Sequence, residues 1–329
     1  MSREYKIDVI VPWVDNQDEE WRRKAKKFIP KEDLDGERYR DYDTIKYCIR
    51  SIEQNMPWVN HVYLVTDNQV PTWFKPSSKI TIVNHVDFIP SQYLPTFNSI
   101  TITSFMHLIP GISERFIILN DDTFVINETK EKDYFTAGVP NDFNVERPIS
   151  PSVINNFYVF NSLYAVNKKF NKRLDLRNSI FEKFSWKYGL LNNLISLALL
   201  AFRPYLGFYT SHCAQPYLKS SFETSWKLFN SELTQVAEHP LRKETDVTDW
   251  LIRYYQLVSN NFHPSSPKKH RYYELGKMNE SKIHIALSSK SVFDICINDA
   301  SLAENDEDLV NVLMLNLTNK FSRPSSCEL

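Results

Sequence analysis

Four apolar runs in this sequence end on acidic or amide side chains. RFIILN (115–120) leads straight into Asp121 and Asp122. IDVIVPWV (7–14) is followed by Asp15 and Asp18, HVYLVT (61–66) by Asp67 and Asn68, and VFDICI (292–297) by Asn298 and Asp299. Carboxylates so placed can hold Mg²⁺ or Mn²⁺ through hard oxygen ligands, and the ion can then neutralise a diphosphate. Neighbouring side chains of an extended chain point to opposite faces. One of Asp121 and Asp122 therefore ligates directly unless the chain turns, and the other orients a water or a neighbour. Charge developing on a diphosphate also needs cations, and Arg50, Arg115, Arg147 and Arg242 are the candidates. Each residue has a plainer reading. The acid pair can be a turn, Asp18 can cap the helix that EEWRRKAKKF forms, a lone arginine is commonly a surface group, and a lone histidine such as His212 is commonly structural.

The composition excludes several alternatives. With 39 basic and 40 acidic residues and a net charge of −1, the chain is no broadly basic nucleic-acid binder. Its 6 glycines, at 36, 111, 138, 189, 207 and 276, are too far apart for a G-x-G-x-x-G turn or a P-loop. Four scattered cysteines, Cys48, Cys213, Cys296 and Cys327, form no C-x-x-C pair. They suit reduced thiols in a cytoplasm better than a zinc site or a disulfide framework. No apolar leader precedes the first strand-like run, which points to a cytoplasmic protein.

The elements that must position these residues fall into two halves. Strand patterns at 7–14, 61–66, 79–83 and 115–120 alternate with helical patterns at 19–29, 43–54 and 99–109, with Asp43 as a candidate N-cap. Such alternation indicates an α/β fold with a mostly parallel sheet. From about Val153 helical patterns dominate, at 222–237, 247–258 and 306–321, and one strand pattern returns at 292–297. The whole is read as a single catalytic unit, 1–329. Its α/β core comprises 1–150 and about 280–300. A helical elaboration, the acceptor and membrane-proximal region, covers about 151–265, and a C-terminal helix and tail cover 301–329. The apolar stretch 190–208, LLNNLISLALLAFRPYLGF, is too short and too interrupted to span a bilayer. It reads first as a buried core helix and second as a helix resting on a membrane surface.

Taken in order, these segments resemble the signature blocks of the Stealth family. IDVIVPWVDNQDEEW resembles the first. RDYDTIKYCIRSIEQNMPWVNHVYLVTDNQVPTW, LPTFNSI and IPGISERFIILNDDTF resemble the second. SHCAQPYLKSSFETSW with HPLRKETDVTDWLIRYYQL resembles the third, and SVFDICIND the fourth. The terminal FSRPSSCEL is similar to the tail that closes bacterial members. The resemblance implies a GT-A-like nucleotide-sugar core and a hexose-1-phosphate transferase of capsular or cell-surface polysaccharide synthesis. The implied donor is a UDP-hexose or UDP-N-acetylhexosamine, with Mg²⁺ or Mn²⁺. The acceptor is a lipid-linked oligosaccharide or polysaccharide hydroxyl, and UMP leaves as a phosphodiester forms. Peripheral contact with the inner face of a bacterial plasma membrane follows from such an acceptor.

Carried over by position, Asp121 and Asp122 match the metal-binding pair. His212, Arg242, Arg50 and Asp299 match catalytic residues, with His212 as the base for the acceptor hydroxyl. Asp15, Asp18, Asn98, Arg115 and Asn120 are the candidate donor-binding residues. The SHCAQP stretch departs from relatives, which place proline sooner after the histidine. Two other functions stay open at this point: a metal-dependent glycosyltransferase releasing UDP, and a non-catalytic glycan-binding protein.

Overall fold

The computed structural model describes residues 5–30, 34, 42–149, 156–300, 302 and 306–329. Gly36, the Arg40 and Asp41 that open the second block, and Val153, where strand patterns give way to helices, lie outside the described residues. Eleven strands occur among them: β1 (Ile7–Pro12), β2 (His61–Thr66), β3 (Ile80–Asn84), β4 (Arg115–Ile118), β5 (Thr123–Val125), β6 (Phe135–Thr136), β7 (Val139–Asp142), β8 (Gln215–Leu218), β9 (His263–Pro264), β10 (His270–Glu274) and β11 (Asp294–Asn298).

The main sheet has the order β3-β2-β1-β4-β8. Its first four strands are parallel, and β8 runs antiparallel along β4 at the edge. The chain steps outward from β1 to β2 to β3, then returns to the other side of β1 to lay down β4. Strand order therefore reverses between β1 and β4, the place where open α/β sheets bind ligands beyond the strand carboxyl ends.

β1 reads as an almost unbroken apolar run because both faces are covered. Val9 and Val11 pack with Ile45, Ile49 and Ile52 of the helix Thr44–Asn55. Ile10, on the opposite face, packs with Phe105, Met106, Phe222 and Ile252. The one polar interruption, Asp8, is fully buried and accepts from Asn60 Nδ2 (2.7 Å) and Ser113 N (2.8 Å).

A second sheet, β10-β11-β5, pairs β10 parallel and β5 antiparallel with β11. β5 follows β4 after four residues, so Asp121 and Asp122 occupy the short junction between the two sheets. A third small sheet joins β6, β7 and β9.

Several expectations shift in detail. The helix expected over 222–237 is two helices, Lys219–Leu228 and Asn230–Ala237, parted at the buried Phe229. Asp43 adopts a left-handed backbone and caps nothing with its side chain; it accepts from Trp73 Nε1 (2.7 Å) instead. β8 arises inside the segment where helical patterns dominate the sequence, yet completes the main sheet.

The larger correction concerns 190–208. Its helix, Leu190–Ala198, is not a core helix: Leu190, Leu191, Leu194 and Leu197 are exposed. The face turned inward is the polar one. Asn192 Oδ1 accepts from Arg147 (2.7 Å) and its amide donates to Tyr188 O (2.8 Å). Asn193 donates to Ser185 O (3.0 Å), and Ser196 Oγ accepts from Glu146 N (3.3 Å).

Candidate active site

At the point where strand order reverses lies a cleft of ≈ 290 Å³. Pro12, Trp13 and Val14 reach it from the end of β1, and Asn120, Asp121 and Asp122 from the end of β4. Asn298 and Asp299 come from the end of β11, and Arg242 and Ser99 line the same cleft. Three of the four polar strand ends read from the sequence thus contribute a carboxylate or amide to one cavity, since Asp67 after β2 also lines it.

The acid junction is tightly built. Thr123 N donates to Asn120 O (3.0 Å), closing the turn after β4. Ile297 N donates to Asp122 O (3.0 Å), and Asn298 Nδ2 donates to Asp122 Oδ2 (3.0 Å). The end of β11 is therefore fastened to Asp122, and Asp299 follows one residue later. Behind the junction Cys48 Sγ points at Asn120 O (3.6 Å), and burial together with Asp121 and Asp122 pushes its thiol well up. Cys296 is pushed up by burial and by Asp122. Both thiols are inert packing beneath a negatively charged rim.

Among the described residues no three His, Cys, Asp or Glu side chains form a closed metal cage. Mg²⁺ does not need one, because it is commonly bound by one or two carboxylates with substrate phosphates and water completing the shell. Asp121, Asp122, Asp299 and the Asn298 amide are hard oxygen donors on one rim, a set that fits such an ion.

The part of the cleft that carries Arg242 is organised by buried side chains. Asn98 caps the helix Ser99–Phe105 by accepting from Ile100 N (3.1 Å), and its amide donates to Asp246 Oδ2 (3.3 Å) and His239 O (3.4 Å). Asp246, fully buried, also accepts from Lys243 N (2.9 Å) and lies 2.6 Å from His239 Nδ1. This network fixes the 239–246 loop that carries Arg242, whose guanidinium donates to Ser99 Oγ.

His212 does not line the cleft. It is solvent-accessible and packs beside two aromatic rings, with Trp250 at 4.7 Å and Tyr272 at 5.1 Å between ring centroids. Desolvation lowers its pKa from 6.5, Asp249 and Asp122 oppose that, and Arg253 adds to it. Asp122 thus lines the cleft and also acts on His212. The His212 backbone is left-handed (φ 53°), a conformation that persists only where surroundings enforce it. They do so here. Arg253 Nη1 donates to Tyr209 O (3.0 Å) while its other nitrogens grip Asp142 at 2.7 and 2.9 Å. Cys213 Sγ meets Arg271 O (3.3 Å), and Ala214 N donates to Asp294 Oδ1 (3.4 Å). The aromatic partners Trp250 and Tyr272 are the site residues that sequence reasoning missed. Only their place within two strongly aromatic stretches, DWLIRYY and HRYYE, hinted at them.

The remaining candidates are placed elsewhere. Arg50 is buried and fully committed: Nε and Nη2 donate to Glu328 at 2.7 and 2.5 Å, and Nη1 donates to Phe321 O (2.8 Å). It holds the C-terminal tail, with no guanidinium edge left for a phosphate. Arg115 begins β4, the end opposite the cleft, where it donates to Gly138 O (3.2 Å) and stacks on Tyr5. Asp18 is the cap of the helix Glu19–Ala25, accepting from Trp21 N (2.6 Å). Asp15 closes a turn by accepting from Gln17 N (2.7 Å), and Arg147 is tied to Asn192. Asn98 lies behind the cleft wall as described.

Comparison with known proteins adds an independent line. A family model described as Stealth protein CR2, conserved region 2, matches residues 38–142. The exopolysaccharide phosphotransferase cps2G of Lactiplantibacillus plantarum is 36% identical over 99% of this chain and 97% of that protein. The capsular polysaccharide phosphotransferase WcwK of Streptococcus pneumoniae is 34% identical over 98% of each. The receptor polysaccharide phosphotransferase WefC of Streptococcus gordonii is 30% identical over 98% of this chain and 99% of that protein. Among solved structures, the galactosyltransferase LgtC in complex with donor and acceptor sugar analogues aligns over 94% of this chain and 95% of its own, at a TM-score of 0.39 and 9% identity. So slight a likeness decides nothing about chemistry.

Proposed function

Because the chain belongs to the Stealth family of polysaccharide phosphotransferases, we propose that it moves a hexose-1-phosphate from a UDP-hexose or UDP-N-acetylhexosamine to a glycan hydroxyl in capsular or cell-surface polysaccharide synthesis. One observation supports the reading above others. Asn120, Asp121, Asp122, Asn298 and Asp299 converge on one cleft that Arg242 also lines.

Phosphoryl transfer asks a protein mainly for positioning and charge stabilisation. Asp121 and Asp122, with Asn298 and Asp299 beside them, would hold a divalent ion. When bound, that ion neutralises the donor diphosphate. Arg242, held by Ser99 and the Asn98–Asp246 network, supplies positive charge within the cleft to the phosphoryl group in transit. His212, its pKa lowered by desolvation, accepts the proton of the attacking hydroxyl. The acceptor oxygen bonds to the sugar-bearing β-phosphorus, the bridge to the α-phosphorus breaks, and UMP leaves with the electron pair. The C1–O bond of the sugar survives, so the donor's anomeric configuration is retained.

Incubation with a panel of UDP-sugars, Mg²⁺ or Mn²⁺ and an acceptor glycan, with the nucleotide products resolved, tests this. UMP together with a phosphodiester resonance in the ³¹P spectrum is the expected result. Stoichiometric UDP with a phosphorus-free glycan would make the protein a glycosyltransferase instead.

A further inference from the structure

Away from the donor cleft, a second recess of ≈ 410 Å³ is lined by Lys132, Lys187, Lys268 and Lys269, with one carboxylate, Asp133. The chain as a whole carries a net charge of −1, so this concentration of lysine is local. Lys187 Nζ is steadied by Pro264 O (2.9 Å), and Lys269 Nζ by Ser291 O (3.2 Å) and the Phe293 ring. Lys132 and Lys268 are exposed at the mouth. A lysine ammonium is a compact point charge of the kind that binds phosphate.

The same recess is rimmed by Trp186 and Gly189. Trp186 is 83% exposed, and directly after Gly189 comes the helix whose outward face is Leu190, Leu191, Leu194 and Leu197. Phe181, 86% exposed, extends the apolar surface on the preceding helix, Lys172–Lys183. Tryptophan at the boundary of an apolar face and a basic one is the arrangement favoured at a membrane–water interface. Apolar chain on one side and anionic head on the other are the two halves of a phosphorylated lipid.

β10 runs from this recess to the neighbourhood of His212. His270 lines the lysine pocket, and Tyr272, two residues on and on the same face, packs against His212. His270 and Tyr272 are separated by about 7 Å at the usual rise, a span that one sugar residue crosses.

We propose that the lysine recess and the leucine helix together bind the phosphate-ester head and the first chain segment of a lipid-linked saccharide. The sugar end is then directed along β10 toward His212. This rests on the transferase reading and adds to it the place where a lipid-linked acceptor is held.

Vesicle co-sedimentation provides the test, with phosphatidylcholine alone, with added phosphatidylglycerol, or with added polyprenyl diphosphate at matched surface charge. The wild type should prefer the polyprenyl diphosphate vesicles by about tenfold or more, and inorganic diphosphate should displace it. Lys132→Glu with Lys268→Glu should abolish that preference. Leu191→Ser with Leu194→Ser should weaken binding to every vesicle. Both variants should still release UMP with a water-soluble acceptor. Equal binding to phosphatidylglycerol vesicles, or a lysine variant with unchanged preference, would overturn the proposal. Because soluble-acceptor turnover is read separately, that failure is distinct from a failure of the transferase reading.

Discussion

Asp122 is the residue on which most of the site turns. Its backbone carbonyl and one carboxylate oxygen are both engaged by β11, while the side chain also acts electrostatically on His212. Asp122→Asn keeps volume and can still accept from Asn298, so the fold should persist with an unchanged thermal transition. Turnover should nevertheless fall on the order of 10²–10³-fold, the usual cost of losing one electrostatic stabiliser of the transition state. A variant of undiminished rate and unaltered metal dependence would reduce the acid pair to a turn. His212 makes a different prediction. Its lowered pKa leaves it neutral across the physiological range, so the acidic limb of kcat/KM should lie below pH 6.5. His212→Ala should lose about 10²–10⁴-fold in rate, lose that limb, and still bind UDP-sugar in calorimetry. An intact acidic limb in the variant would assign the base to another group.

At the scale of elements, the distinction between touching the ligand and holding what touches it becomes clear. Asn98 was expected among the donor-binding residues, but it caps one helix and anchors the loop bearing Arg242. Asn98→Ala removes a cap worth about 0.5–2 kcal/mol, so the melting temperature should drop by roughly 2–4 °C per kcal/mol lost. The donor KM should rise with it as Arg242 loosens. A stability loss with an unchanged KM would confine Asn98 to capping. The sequence disclosed elements where one short segment carries the whole signal. The apolar runs of β1, β2 and β4 are long enough to read directly, and so are their acidic ends. β8 and β10 escaped because QPYL and HRYYE are polar or aromatic and short, and gain strand character only by pairing with β4 and β11. The first of the two readings of 190–208, a buried core helix, fails for a related reason. Its leucine content gives its apolarity but not its direction, and three polar residues, Asn192, Asn193 and Ser196, turn the leucines outward by bonding inward.

For the molecule as a whole, closure depends on the C-terminal tail. Glu328 pairs with Phe74 as an isolated bridge, Lys75 N donates to Cys327 O (2.7 Å), and Leu329 N donates to Trp73 O (2.9 Å). At the centre is the Arg50–Glu328 pair, which binds the tail to the helix Thr44–Asn55, one of the layers covering β1. Spacing alone could not separate this role of Arg50 from a catalytic one, since its partner lies 278 positions away. Burial pushes the Glu328 carboxyl up, but hydrogen bonds from Arg50 and Ser325 outweigh it and hold the group down to about 2. A folded pKa below the unfolded one means stability that is present above pH 4.5 and is lost as pH falls toward 2. Glu328→Ala leaves Arg50 buried without its carboxylate. It should cost about 3 kcal/mol, the lower end for breaking a buried pair, because this one lies just beneath the surface. The variant should also lose the part of the acid-dependent decline that the pair contributes, so wild-type and variant stabilities converge toward pH 2. Since the pair is remote from the cleft, the variant should retain UMP release at temperatures where it stays folded. A rate loss without a stability loss would return Arg50 to the catalytic machinery.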